Sequence, residues 1–214
     1  KSISGDVLGK FRMAADSSDT AILDLASNLI VDSVHLNGKP AIFVHSADSQ
    51  LKIIFGHFIK KNNLFSIRTF YHGTPATSGY GSFSFVTFET TDAIYSLSQP
   101  YGSKDWWPCK DTPLDKADSA DINFNVRSDL YAVSNGSLEE IEKLRNGTTT
   151  YKWKSRYPIA PYLISIAAAN YELYTNYYKY SESDSLSIYH FLYPGFLNET
   201  MKKRLDLTPD MLKI

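Results

Sequence analysis

The chain has 214 residues, with 22 Lys and Arg against 23 Asp and Glu, a net charge of -1 and no long apolar run. That length carries one large domain or two small ones, with a core big enough to offset its own ordering entropy. The charge balance leaves no electrostatic footprint for nucleic acid or an anionic membrane surface, and nothing in the chain reads as a membrane span. The basic cluster Lys202, Lys203 and Arg204 reads as the solvated face of a helix end. Cys109 is the only cysteine, which excludes a disulfide framework and a cysteine-based zinc site within one chain. The chain opens on Lys1-Ser2-Ile3-Ser4, without Met and without the regions of a signal peptide, as a mature or cut form would.

Fifteen Tyr, twelve Phe and three Trp suit pleated, half-buried surfaces, and the pattern is almost all β. Strands are expected over 10–15, 20–36, 40–46, 51–58, 65–71, 82–89 and 93–98. Further along, Ile122, Phe124 and Val126 alternate with Asn123, Asn125 and Arg127, one face apolar and the other polar. Strands then follow over 149–154 and 162–180, and Leu186, Ile188, His190 and Leu192 repeat the alternation. Turn chemistry at Asn37-Gly38, Asn62-Asn63, Gly73-Thr74-Pro75 and Asn146-Gly147 separates them. Many strands at short spacing argue for a sandwich or an open, curved sheet assembly.

Two stretches depart from this pattern. Over 137–145, the spacing Leu138, Ile141, Leu144 with a Ser137…Glu140 capping box suits one short helix. The flanking Asn135-Gly136 and Asn146-Gly147 fit a hairpin excursion equally well. Residues 198–205 read as helical, and Thr208-Pro209-Asp210 forms a second helix start with only four residues after it, which reads as an unfinished element.

None of the five histidines, His35, His45, His57, His72 and His190, is followed by Glu, so a His-Glu-x-x-His zinc helix is absent. Nucleophile-elbow, phosphate-loop and dinucleotide fingerprints are absent too. The histidines read as packing residues, and Cys109 reads as a small buried hydrophobe. The densest segment is 98–113, Ser-Gln-Pro-Tyr-Gly-Ser-Lys-Asp-Trp-Trp-Pro-Cys-Lys-Asp-Thr-Pro. A long connection of this kind needs its own packing, which two indoles can supply, and loops on a β scaffold often carry function.

Within it, Trp106-Trp107-Pro108-Cys109-Lys110-Asp111-Thr112-Pro113 resembles the Pro-Cys-x-Asp-x-Pro region of the aminopeptidase N and leukotriene hydrolase-like family of zinc metallopeptidases. Other pieces fall in the family's order: the early strand pair over 21–34, Phe70-Tyr71-His72-Gly73-Thr74-Pro75, and Tyr157-Pro158-Ile159-Ala160-Pro161-Tyr162-Leu163. The resemblance covers almost the whole chain. It implies a curved, saddle-like multi-sheet β-sandwich over 1–195, and a helical start of the linker and catalytic domain over 196–214. It further implies zinc in the parent enzyme but none on this fragment, the catalytic domain as partner, a peptide substrate for the parent, and a fragment inactive alone. In the family, the sequence before the motif supplies a Gln or Glu that helps bind the substrate's free amino terminus. Counting on from Ser98-Gln99 leads to the neighbourhood of Tyr101, so Gln99 and Tyr101 are both candidates. A Tyr there would offer a hydroxyl and an aromatic wall, a departure from carboxylate-type recognition.

Two other functions fit the composition: a stand-alone carbohydrate- or protein-binding module using the 98–113 aromatics, and a structural adhesion domain. Asn135, Asn146 and Asn198 each begin an Asn-x-Ser/Thr triplet, and the Trp-Trp-Pro-Cys form resembles secreted bacterial members, so a periplasmic or secreted location is expected. A domain that packs on a catalytic partner should also carry one unusually apolar face.

Overall fold

A computed structural model describes residues 1–88 and 91–213. Seven strands build its first half: β1 (Ile3–Arg12), β2 (Ser17–Asp24), β3 (Leu29–Leu36), β4 (Lys39–Pro40), β5 (Ile42–His45), β6 (Gln50–Lys60) and β7 (Leu64–Gly73). They form two sheets, ordered β1-β7-β3-β4 and β2-β6-β5. Alternation sets the inward faces: Leu51, Ile53 and Phe55 from β6 and Phe65, Ile67 and Tyr71 from β7 are buried, with Leu25, Leu29 and Val34 between them. Burying each aliphatic side chain of this kind contributes about 2 kcal/mol. The β3–β4 hairpin turns on Asn37 and Gly38, whose φ values of 50° and 79° are the left-handed pair that a tight two-residue hairpin requires.

The second half repeats the plan with β8 (Phe83–Phe88), β9 (Thr91–Ser96), β10 (Ala120–Arg127), β11 (Tyr131–Ser134), β12 (Ser137–Lys143), β13 (Thr148–Ser155) and β14 (Ile166–Ala169). Their sheets run β11-β14-β9-β8 and β10-β13-β12. They enclose a second core of Phe83, Ile122, Ala132, Tyr151, Trp153, Ile164 and Ala168, with Trp106 inserted from the 98–113 segment. Every ladder among the described residues is antiparallel. A separate two-stranded ribbon, β15 (Glu172–Lys179) and β16 (Ser185–Leu192), follows, and then the helices α1 (Glu199–Leu205) and α2 (Thr208–Met211).

The architecture is the all-β, multi-sheet assembly that the sequence implies. Of residues 137–145, Ser137–Lys143 form strand β12, the hairpin alternative rather than the helix. Gly136 and Gly147, at φ 87° and 82°, provide the turns, and cross-strand pairs of Lys152 with Glu140 and Glu142 and of Lys154 with Glu139 line the ladder to β13. A Cβ at position 136 would lie 2.1 Å from the Lys154 carbonyl oxygen, so only Gly allows that approach. The expected strand 20–36 is two strands, and 162–180 holds a short 3-10 turn plus β14 and β15. β1 starts at Ile3, ahead of the expected 10–15, and β11 falls outside every expected strand. The expected strand 82–89 is β8, with residue 89 outside the described residues. Asn198 caps α1 by accepting from Met201 N at 3.0 Å, whereas Thr208 is the first residue of α2 and Leu207 holds its cap position.

Candidate functional site

The 98–113 segment lies between the two cores and is bonded to both. Trp106 packs into the second core, with its ring 5.7 Å from Phe83, and donates its indole N–H to Ser98 Oγ at 3.0 Å. Trp107 packs against both cores. The Tyr71 hydroxyl, reaching out of the first core, donates to the Trp106 carbonyl at 2.8 Å. Burial, and next to it the Cys109 thiol, push that phenol far above its ordinary pKa. Cys109 and Asp24 exchange backbone hydrogen bonds of 3.1 and 2.7 Å, and Ala26 N donates to the Lys104 carbonyl at 2.8 Å. These bonds extend the first half's backbone network into the segment.

Charge fixes the same stretch. Asp111, its side chain 3% exposed, accepts from the Lys104 ammonium at 3.0 Å and from Ser103 N at 3.3 Å. Asp111 N donates in turn to Asp24 Oδ2 at 2.9 Å. Burial works against the Lys104 ammonium, yet the hydrogen bond and charge of Asp111, with Asp105 and Asp24 behind, raise its pKa overall. Burial first, then Asp111 and Asp24, hold the Cys109 thiol protonated well above its ordinary range. The free thiol is thus an inert core residue, as its sequence context suggests. Trp106, Trp107, Pro108, Cys109 and Asp111 all sit in this joint, and Pro113 lies half-buried at its exit.

Gln99 and Tyr101, the two candidates for contacting a ligand, are at the exposed tip of the same segment. Tyr101 is 57% exposed. Both residues border a shallow depression of about 260 Å³, together with Pro100, Gly102, Leu97, Ser78, Gly79 and Ser82. The structure therefore brings the two candidates onto one rim. Gly102 lets the tip close down, because a Cβ there would meet the Cβ of Ser82 at 2.7 Å. Lys104 steadies the tip from below, donating to the Tyr101 carbonyl at 2.8 Å.

Residues 1–163 match the family described as Peptidase M1 N-terminal domain. The chain belongs to that family. Related curated proteins include leucine aminopeptidase 2 of Aspergillus fumigatus, 24% identical over 184 residues, covering 79% of this chain and 29% of that protein. Leucine aminopeptidase 2 of Vanderwaltozyma polyspora is 28% identical over 153 residues, covering 67% of this chain and 22% of that protein. Among solved structures, the M1 zinc metallopeptidase of Deinococcus radiodurans superposes with a TM-score of 0.76 at 23% identity, over 94% of this chain and 47% of that one. A mutant of that peptidase bound to a Tyr-Ser-Ala substrate gives 0.75 at 22% identity, with the same coverage. The M1 N-terminal domain described here thus spans under a third of the curated relatives and about half of the solved chains it matches.

Among the described residues, no group of three or more His, Cys, Asp or Glu could hold a metal ion. The described residues of this M1 N-terminal domain do not fit a zinc centre. The histidines go to packing and surface contacts: His45 Nε2 lies 2.9 Å from the Leu25 carbonyl, His72 pairs with Asp32, His190 pairs with Asn176, and His35 packs edge-on to Phe70. Among the described residues, no helix is long and apolar enough to cross a membrane. Leu97, Tyr101 and Tyr80 lie at or near the depression, while Ile22 and Val44 flank Lys52 on the outer side of the β2-β6-β5 sheet. Sequence reasoning missed Ser78, Ser82 and Asp105, which floor and support the depression. The one trace of them in the sequence is the Ser- and Gly-rich run 78–84.

Proposed function

We propose that this chain is the non-catalytic N-terminal β-domain of a zinc-dependent aminopeptidase, and that it scaffolds the catalytic domain and lines the pocket for the substrate's amino terminus. The observation that carries the reading is the paired placement of Gln99 and Tyr101 on one depression, held by the Trp106–Asp111 joint, in a chain of the M1 N-terminal family. An exposed side-chain amide carbonyl can accept a hydrogen bond from an ammonium group, and a phenol can add a second acceptor and an aromatic wall. Residues 1–195 are the domain in this reading, and 196–214 open the linker towards the part that would hold zinc. That metal would supply an activated water and a polarised peptide carbonyl. An exported location belongs to the same reading, supported by the Asn-x-Ser/Thr triplets and the Trp-Trp-Pro-Cys form.

Hydrolysis assays on the full-length protein test it. Leucine p-nitroanilide should be cleaved, its N-acetyl derivative should not, and a zinc chelator should abolish the activity until zinc is returned. Cleavage of the acetylated substrate at the same rate, or activity indifferent to chelation, would overturn the proposal.

A further inference from the structure

The depression has a carboxylate one layer beneath its floor. Asp105 is 4% exposed, and its Oδ2 accepts from the hydroxyls of both Ser78 and Ser82. Both serines line the depression, and Ser82 is itself 1% exposed. Among the described residues, no Lys or Arg is salt-bridged to Asp105. The adjacent Lys104 ammonium is turned away, to the Tyr101 carbonyl and to Asp111.

Two consequences follow from elementary chemistry. A hydroxyl that donates its proton inward to a carboxylate presents oxygen lone pairs outward, so the exposed Ser78 faces the depression as an acceptor while the buried Ser82 sits in its floor. Ser82 Oγ already takes Ser78 N at 3.1 Å, which leaves Ser78 Oγ as the freer acceptor of the two. A buried carboxylate hydrogen-bonded to neutral hydroxyls keeps its charge beneath the floor; its field also reaches the Lys104 ammonium, which Asp111 offsets by its direct ion pair, and low-dielectric surroundings screen that field less than water would. The floor therefore favours a cation over a neutral group of the same shape.

From this geometry we infer that Asp105, acting through Ser78 and Ser82, is a positioning and charge-selecting residue for the substrate's terminal ammonium group at Gln99 and Tyr101. The inference rests on the aminopeptidase reading and deepens it. Asp105 touches no substrate itself. Its role is to aim two hydroxyls and to set the sign of the potential at the rim.

The test is competitive inhibition of the full-length protein by alaninamide, which carries the ammonium, and by lactamide, in which a hydroxyl replaces it. Asp105→Asn keeps the size and an acceptor oxygen while removing the charge. It should weaken alaninamide at least about fivefold, the scale of one unit charge about 4 Å away even with the screening of bulk water, and leave lactamide within about twofold. Equal weakening of both, or no change in either, would overturn the inference while leaving the aminopeptidase reading intact. Wild-type protein that binds lactamide as well as alaninamide would instead remove the ammonium site itself, and the inference with it. Should Asp105→Asn lower the melting temperature sharply, Ser78→Ala provides the second arm. It deletes the outward acceptor and keeps the carboxylate, so alaninamide should weaken more than lactamide, and the reverse order would contradict the proposal.

Discussion

The buried joint and the exposed tip of the 98–113 segment are a few residues apart and obey opposite rules. In the joint, Trp106, Cys109 and Asp111 have their polar groups bonded and their apolar surfaces enclosed between two cores. At the tip, Gln99 and Tyr101 are exposed, and among the described residues no hydrogen bond holds either side chain in place. Under the proposed function, the contrast is how a β scaffold would present a recognition loop: rigidity is concentrated one turn away from the proposed contact, and the side chains at the tip stay free to meet a ligand.

That contrast predicts a gradient of mutational effects. The largest belongs to Trp106→Ala, which leaves a cavity in the second core and removes the indole donor to Ser98 Oγ. It should cost about 3 to 5 kcal/mol in urea unfolding of the chain. Next comes Asp111→Ala, which strips the Lys104 ammonium and Ser103 N of their shared acceptor and should cost about 2 kcal/mol by the same measurement.

The joint should also be the alkaline weak point. Tyr71 and Cys109 have folded-state pKa values raised above their ordinary values of 10.0 and 9.0. Both groups are neutral when folded, so above about pH 9 the unfolded chain releases protons that the folded chain retains. Their contribution is complete below that pH and is lost as pH rises. Melting temperature should therefore fall between about pH 9 and 11, and Cys109→Ala should flatten the early part of that fall. A thiol reagent should label Cys109 only as fast as the chain unfolds. The smallest stability effects belong to the tip, where Gln99→Ala and Tyr101→Ala should each stay within about 0.5 kcal/mol of the parent chain.

The legible parts of the molecule were those governed by short-range rules. Period-two alternation marked 122–126 and 186–192, Asn37-Gly38 marked a hairpin, and Asn198 marked a helix start, because each is decided by the local chain. The 137–145 stretch carries helical spacing and hairpin turn signals alike, and tertiary context decides for the hairpin, since pairing with β13 offers it a ladder and three Glu–Lys contacts. Motif residues 106–113 were legible as a unit through family resemblance, but their task as a bridge between cores was not. That task depends on Asp24 and Tyr71, more than thirty residues upstream in the chain. Asp105, Ser78 and Ser82 were illegible for the same reason: no local pattern says that a loop 23 residues away will donate a hydroxyl.

The most direct test of the account is steady-state kinetics of Gln99→Ala in the full-length protein on leucine p-nitroanilide, with its melting temperature measured alongside. The account predicts a KM raised about tenfold or more, the scale of one lost hydrogen bond to a charged group, with melting unchanged. An unaltered KM in a normally folded variant would contradict the placement of the substrate's amino terminus at this tip.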